Sequence, residues 1–258
     1  MSAAVVQTRL LTVRSLRRLS RQPALLMFTL VQPLVWLLLF GALFQRISAL
    51  PGFAAGRYLD YLTPGIVVMT AMSTAGWSGS PIVEDLDRGV MDRTLTSSVR
   101  STALTAASLL HQGVVTVVQS LILLGIGLVA GARYPAGGPG VLALLVCTVL
   151  LGWAFAALSD AIALAVGDQA ALIAVSQFLT LPLTFLSSIM IAPDLLPGWV
   201  ATAARYNPVD WAARAARESL TSRTDWTFVL ERGALLAALA AACAALTVTA
   251  YRARRRGR

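Results

Sequence analysis

Charge is segregated along this chain, so that apolar runs of about twenty residues or more are separated by short charged segments. A transmembrane helix needs about 20 predominantly apolar residues to cross a hydrocarbon core roughly 30 Å thick, and these runs have that length. Six of them are legible, at about 24–44, 62–83, 103–130, 140–166, 170–192 and 233–251. Only 13% of the 258 residues are charged and 57% are hydrophobic, against about 25% charged in an average soluble domain. The expected fold is all-α and polytopic, with residues 1–258 forming one transmembrane domain of six helices.

The arginines orient that domain. The net charge of +9 would suggest nucleic acid on a soluble chain. Here the arginines bunch at Arg9, Arg14, Arg17, Arg18 and Arg21, and again at Arg252, Arg254, Arg255, Arg256 and Arg258, flanking the first and last apolar runs. Six spans put both termini on one side. With Arg88, Arg93 and Arg100, that side carries thirteen arginines and the other eight, five of which face Asp194, Asp210, Glu218, Asp225 and Glu231 in the last outer segment. The positive-inside bias therefore makes both termini cytoplasmic. The lipid bilayer is the partner implied, and nucleic acid is not.

None of the 21 basic residues is lysine. A P-loop needs its Gly-Lys-Ser/Thr lysine on the phosphates, so the chain has no standard nucleotide site. Cys147 and Cys243 sit inside apolar runs without CxxC spacing and read as small packing residues. No cofactor or metal site is expected. The first run has no Ala-x-Ala site after it and reads as a retained span.

Residues 4–21 read as an amphipathic helix. Val6, Leu10, Val13 and Leu16 recur at steps of three or four opposite Arg14, Arg17, Arg18 and Arg21, a pattern suited to the cytoplasmic headgroup surface. Pro23 suits the first turn of the next helix, and Pro33 is expected to kink it. Residues 45–60 form an outer loop. The second run is rich in Thr and Ser, which on a span means close packing or a polar translocation surface.

Few residues could carry chemistry. His111 and Gln112 lie early in the third run and Asp160 late in the fourth; an ionisable group inside a membrane is a functional candidate by default. His111 and Asp160 lie towards the cytoplasmic ends of their helices, where they could snorkel, pair with each other or line a vestibule. Gly127 and Gly131 have the spacing of a close helix crossing, or mark the frayed end of the span. Glu84, Asp85, Asp87, Arg88, Gly89, Asp92 and Arg93 form the densest charge in the protein, with acids first and bases later, as a short helix dipole would favour. This stretch reads equally as a solvated loop or as a helix docking into a partner.

Residues 181–220 combine an apolar run, Ser187-Ser188, a Pro-Asp-Leu-Leu-Pro-Gly-Trp elbow and Asn207-Pro208 before a short helix. This segment resembles the fifth span and external re-entrant loop of ABC-2 type transporter permeases. Arg21-Gln22-Pro23, Val31-Gln32-Pro33-Leu34, and Glu84 followed by Gly89, Asp92-Arg93 and a hydroxyl-rich stretch are also similar, closest to the daunorubicin-exporter branch. The chain departs from that pattern near Ser97-Ser98 and Ser108, where a proline and a basic residue are frequent, and at Ser187-Ser188-Ile189-Met190.

The resemblance implies two permease copies, identical or sister chains, and two cytoplasmic ATPase subunits, with no enzyme activity in this chain. It implies a short cytoplasmic coupling helix around Glu84 to Arg93 that contacts the ATPases. It also implies external re-entrant helices between spans 5 and 6, with Pro193, Pro197, Gly198, Trp199, Asn207 and Pro208 in a gate. Export of a hydrophobic small molecule across the cell membrane is the function expected. Export of a polysaccharide or other envelope polymer, and an ATPase-independent membrane enzyme or carrier using His111 and Asp160, are the alternatives.

Overall fold

A computed structural model describes residues 7–8, 10–13, 23–44, 58–91, 93, 100–190 and 197–256. All regular structure in these residues is helical. The helices are α1 (Pro23–Leu43), α2 (Tyr58–Ala75), α3 (Ser80–Asp87), α4 (Ser101–Val129), α5 (Gly137–Val166), α6 (Gln169–Phe185), α7 (Gly198–Ala204), α8 (Pro208–Ser219) and α9 (Trp226–Arg256). Of the amphipathic stretch expected over 4–21, residues 7, 8 and 10–13 are helical and the rest lie outside the described residues.

Among the described residues four segments are long and apolar enough to cross a membrane: Tyr58–Asp87, which joins α2 and α3, then α4, α5 and α9. The expected first span corresponds to α1, whose 21 residues match a span in length, and the expected fifth to the shorter apolar helix α6. Their apolar stretches run Met27–Leu43 and Gln169–Phe185. At about 1.5 Å per residue the 17 residues of α6 reach roughly 25 Å, short of a full hydrocarbon core. Both α1 and α6 continue through an internal proline, Pro33 and Pro182.

The bundle is built around α2 and α5. Every residue from Tyr61 to Met72 is buried, and α5 packs against α2, α4, α8 and α9. The hydroxyls of α2 serve packing. Thr63, Thr70 and Thr74 each donate to the carbonyl four residues earlier, at 2.7–2.9 Å. Thr63 packs on Gly127, where a Cβ would stand 2.8 Å from the threonine methyl. Gly127 is thus the close crossing, while Gly131 lies beyond the helix at φ 102°. One polar layer crosses the interior: Gln119 donates to Thr29 of α1 at 2.9 Å and accepts from Thr74 of α2 at 3.2 Å.

The connections are capped by short-range chemistry. Gly167 ends α5 in the left-handed region at φ 68°, and Asp168 caps α6 by accepting from the Ala171 N–H at 2.8 Å. Between α4 and α5, Tyr134 donates to the Leu124 carbonyl at 3.1 Å, and burial pushes its pKa up to about 12. Asp60 at the start of α2 accepts from the Arg133 N–H at 2.7 Å.

Candidate functional site

The second run is broken by two glycines ahead of the charged stretch. α2 stops at Ala75, the chain turns through Gly76–Gly79, and α3 begins at Ser80 with Pro81 in its first turn. No Cβ fits at Gly79, since it would stand 2.6 Å from the Ser159 carbonyl oxygen and 2.8 Å from the Ala163 methyl. Close contact between this turn and α5 therefore requires glycine.

This placement corrects the helix-dipole expectation. α3 ends at Asp87, so Glu84, Asp85 and Asp87 fall at its C-terminal end, where negative charge opposes the macrodipole. The break at Gly79 moved the helix start forward, which the charge pattern alone did not reveal. Arg88 closes α3, and Gly89 takes φ 69° with nothing within 4 Å of its would-be Cβ. Glycine is required there by backbone conformation rather than by crowding.

α3 has two unlike faces. Ile82, Val83 and Met91 are buried with Ala163 and Leu164 of α5, Leu172 of α6 and Tyr251 of α9; Leu86 packs on their edge. Asp87, Arg88 and Arg93 are exposed, and Glu84 and Asp85 half-buried. Glu84 and Arg88 approach to 3.8 Å, an exposed pair that contributes a few tenths of a kcal/mol. Asp92 lies outside the described residues. Arg254 of α9 donates to the Leu164 carbonyl, joining the last helix to the same seat.

Ser159 holds the break together. It donates to the Gly76 carbonyl at 2.7 Å and accepts from the Gly79 N–H at 3.0 Å, satisfying backbone groups on both sides of the interruption. Ser176 of α6 donates to the same Gly76 carbonyl at 3.0 Å, and Gln169 donates to Ser80 at 3.0 Å. Asp160 is fully buried beside this joint and is hydrogen-bonded to Ser108 at 2.6 Å, not to His111.

A second polar knot occupies the opposite end of the bundle. Asn207 caps α8 by accepting from the Val209 N–H at 2.9 Å, and its amide donates to the Leu183 and Leu186 carbonyls at 2.7 and 2.8 Å. One side chain thereby fixes the start of α8 to the end of α6. Pro208 takes the first position of α8, where its missing N–H costs nothing. Pro197 precedes α7, while Gly198 and Trp199 are exposed and Trp199 contributes 70% of its surface to the outside. Pro193 lies outside the described residues.

Arg217 of α8 is the centre of this knot, and the sequence reading did not single it out. It donates to the Tyr61 carbonyl at 3.0 Å, to Ser188 Oγ at 3.1 Å and to the Ile189 carbonyl at 2.6 Å, with its guanidinium 3.7 Å from the centre of the Tyr61 ring. Tyr61 donates to the Ser188 carbonyl at 2.6 Å, and the Ser188 N–H donates to buried Asp210 at 2.8 Å. α2, α8 and the segment that follows α6 converge here, with Gly65 leaving the room. A signal was available: Asp210, Arg214 and Arg217 fall at i, i+4 and i+7 on one helix face. An open cleft of about 460 Å³ beside it is lined by Tyr61, Arg214, Arg217, Glu218, Thr221, Asp225 and Phe228.

Residues 6–221 match the sequence profile of the ABC-2 type transporter family. A daunorubicin resistance ABC transporter permease protein of Streptomyces coeruleorubidus is 27% identical, over 93% of this chain and 83% of its own length. A protein of Mycobacterium tuberculosis named a probable doxorubicin resistance ABC transporter permease is 24% identical, over 83% of this chain and 76% of its own length.

Proposed function

The chain belongs to the ABC-2 type transporter family, and we propose that it is the membrane-spanning permease of an exporter driven by separate ATPase subunits. The carrying observation is α3. Its apolar face is seated on α5, α6 and α9 while its charged residues remain outside the seat. A helix built in this way can receive force from a cytoplasmic partner and pass it into the bundle.

In this reading two copies of the permease, each with six spans and both termini in the cytoplasm, assemble with two ATPase subunits in the cell membrane. Glu84, Asp85, Asp87, Arg88, Gly89, Asp92 and Arg93 form the surface the ATPase contacts. ATP-bound and ATP-free partners must contact it with different free energies, because only a differential contact shifts a conformational equilibrium. The Asn207 and Arg217 knot holds the outer gate against α2 and α6. The substrate is a hydrophobic small molecule, in keeping with the drug-resistance relatives.

The test is capture of the tagged full-length chain from its native membrane in mild detergent, followed by reconstitution with the captured ATPase. A stoichiometric ABC ATPase and ATP-dependent efflux of daunorubicin from the vesicles are expected. Absence of an ATPase even after crosslinking, or efflux without one, overturns the proposal.

A further inference from the structure

Two acids are fully buried among the described residues, and they are treated differently. Asp210 accepts from a backbone N–H and lies 3.8 Å from Arg214. Among the described residues Asp160, 0% exposed in α5, meets only serine hydroxyls, Ser108 at 2.6 Å and Ser78 close by, and its Oδ1 has no hydrogen-bond partner. Among the described residues no basic group pairs with it. On α4, His111 stands one turn beyond Ser108 but is not its partner. On α9, Tyr251 lies within electrostatic reach of both Asp160 and Asp85 of α3, and Arg254 directs its guanidinium to the Leu164 carbonyl. On α6 the nearby polar groups, Gln169 and Ser176, do not ionise.

An ionised carboxylate in this setting would be a buried charge without a counter-charge and with an oxygen left unsolvated, which folded proteins avoid by neutralising the group. We propose that Asp160 is a proton-binding site, carried as the neutral acid with its proton on Oδ2 and donated to Ser108. Oδ1 is then an uncharged carbonyl oxygen, for which a missing partner is far less costly. The chain continues, because Ser108 Oγ is 3.3 Å from Ser78 Oγ and either can donate. Ser78 is half-buried and lies inside the Gly76–Gly79 break. On ionisation the Oδ2 proton passes to Ser108 as the Ser108 proton passes to Ser78 and the Ser78 proton to water, leaving a carboxylate next to the residue that pins the break, Ser159.

The proton therefore sets how firmly α3 is joined to α2. This consequence rests on the proposed coupling role of α3, whereas the proton site itself does not.

Infrared spectra of the purified full-length chain in lipid nanodiscs test the site. At neutral pH the wild type is expected to show the C=O stretch of a protonated carboxylic acid that shifts in D2O. Asp160→Asn, which keeps a donor to Ser108, should lose that band, and Ser108→Ala should keep it at higher frequency. If neither variant changes the band, or none exists, the site is overturned. The consequence is tested in the ATPase-loaded complex by transport per ATP. In the wild type it should fall about tenfold per pH unit above the midpoint at which the band disappears, and Asp160→Asn should be flat. Wild-type coupling that ignores the band's midpoint overturns the joint role. A surviving band without ATP-dependent transport overturns the exporter reading and leaves the proton site standing.

Discussion

At the scale of single residues, both polar knots depend on places where no side chain fits. A Cβ on Gly65 would stand 2.5 Å from the Ile189 carbonyl oxygen and 2.9 Å from Arg217 Nη2, so the backbone or the guanidinium must move. Gly125, on the same bundle, has nothing within 4 Å. Gly65→Ala should lower the detergent-solubilised protein's unfolding midpoint, at a cost of about 1–3 kcal/mol for overpacking and displaced hydrogen bonds. Gly125→Ala should leave it unchanged or raise it by up to about 1 kcal/mol of helix propensity. Equal midpoints for the two variants would show that Arg217 tolerates displacement and is not the anchor described here. Sequence showed the glycines but not which of them faced a neighbour, because that depends on a contact more than a hundred residues away.

At the scale of elements, α3 shows how local chemistry and packing divide the work. Pro81 and the glycines at 79 and 89 delimit a short helix, and Ile82, Val83 and Leu86 give it an apolar face that α5, α6 and α9 cover. Burying each such side chain is worth about 1.5–3 kcal/mol, enough to hold an eight-residue helix that would not persist alone. Gly89 needs the left-handed region, which asparagine also enters at modest cost and valine does not. Gly89→Asn should therefore retain most ATP-driven transport, and Gly89→Val should lose most of it, with membrane insertion of both unchanged. Full transport by the valine variant at normal expression would remove this segment from the coupling path.

At the scale of the whole molecule, helix length separates the candidate spans. α1, α4, α5 and α9 have the length, α2 gains it only together with α3, and α6 is shorter. Six crossings are expected from the apolar runs, and the positive-inside bias then predicts cytoplasmic termini. Single cysteines replacing Trp199, Tyr206 and Asp87, in a chain with Cys147 and Cys243 changed to alanine, test this topology. Trp199 and Tyr206 are 70% and 79% exposed. An impermeant maleimide should label both from outside intact cells, and position 87 only after permeabilisation. Labelling of 87 from outside would invert the topology and detach α3 from any cytoplasmic ATPase.

The sequence by itself determined that the chain is helical and membrane-embedded, since segregated charge and runs of span length leave few other solutions for the backbone. Its motifs also placed it near the right family, and Pro23 marked the first turn of α1 through conformational preferences that are local. Tertiary structure decided the rest. The convergence of Arg217, Tyr61 and Ser188, the grip of Ser159 on the Gly76–Gly79 break and the isolation of Asp160 join residues 29 to 156 positions apart. Hydrophobic periodicity reports which face of a helix is buried, not which neighbour buries it. A buried polar side chain owes its meaning to that neighbour, so the joint and the knot became visible only when the helices were packed.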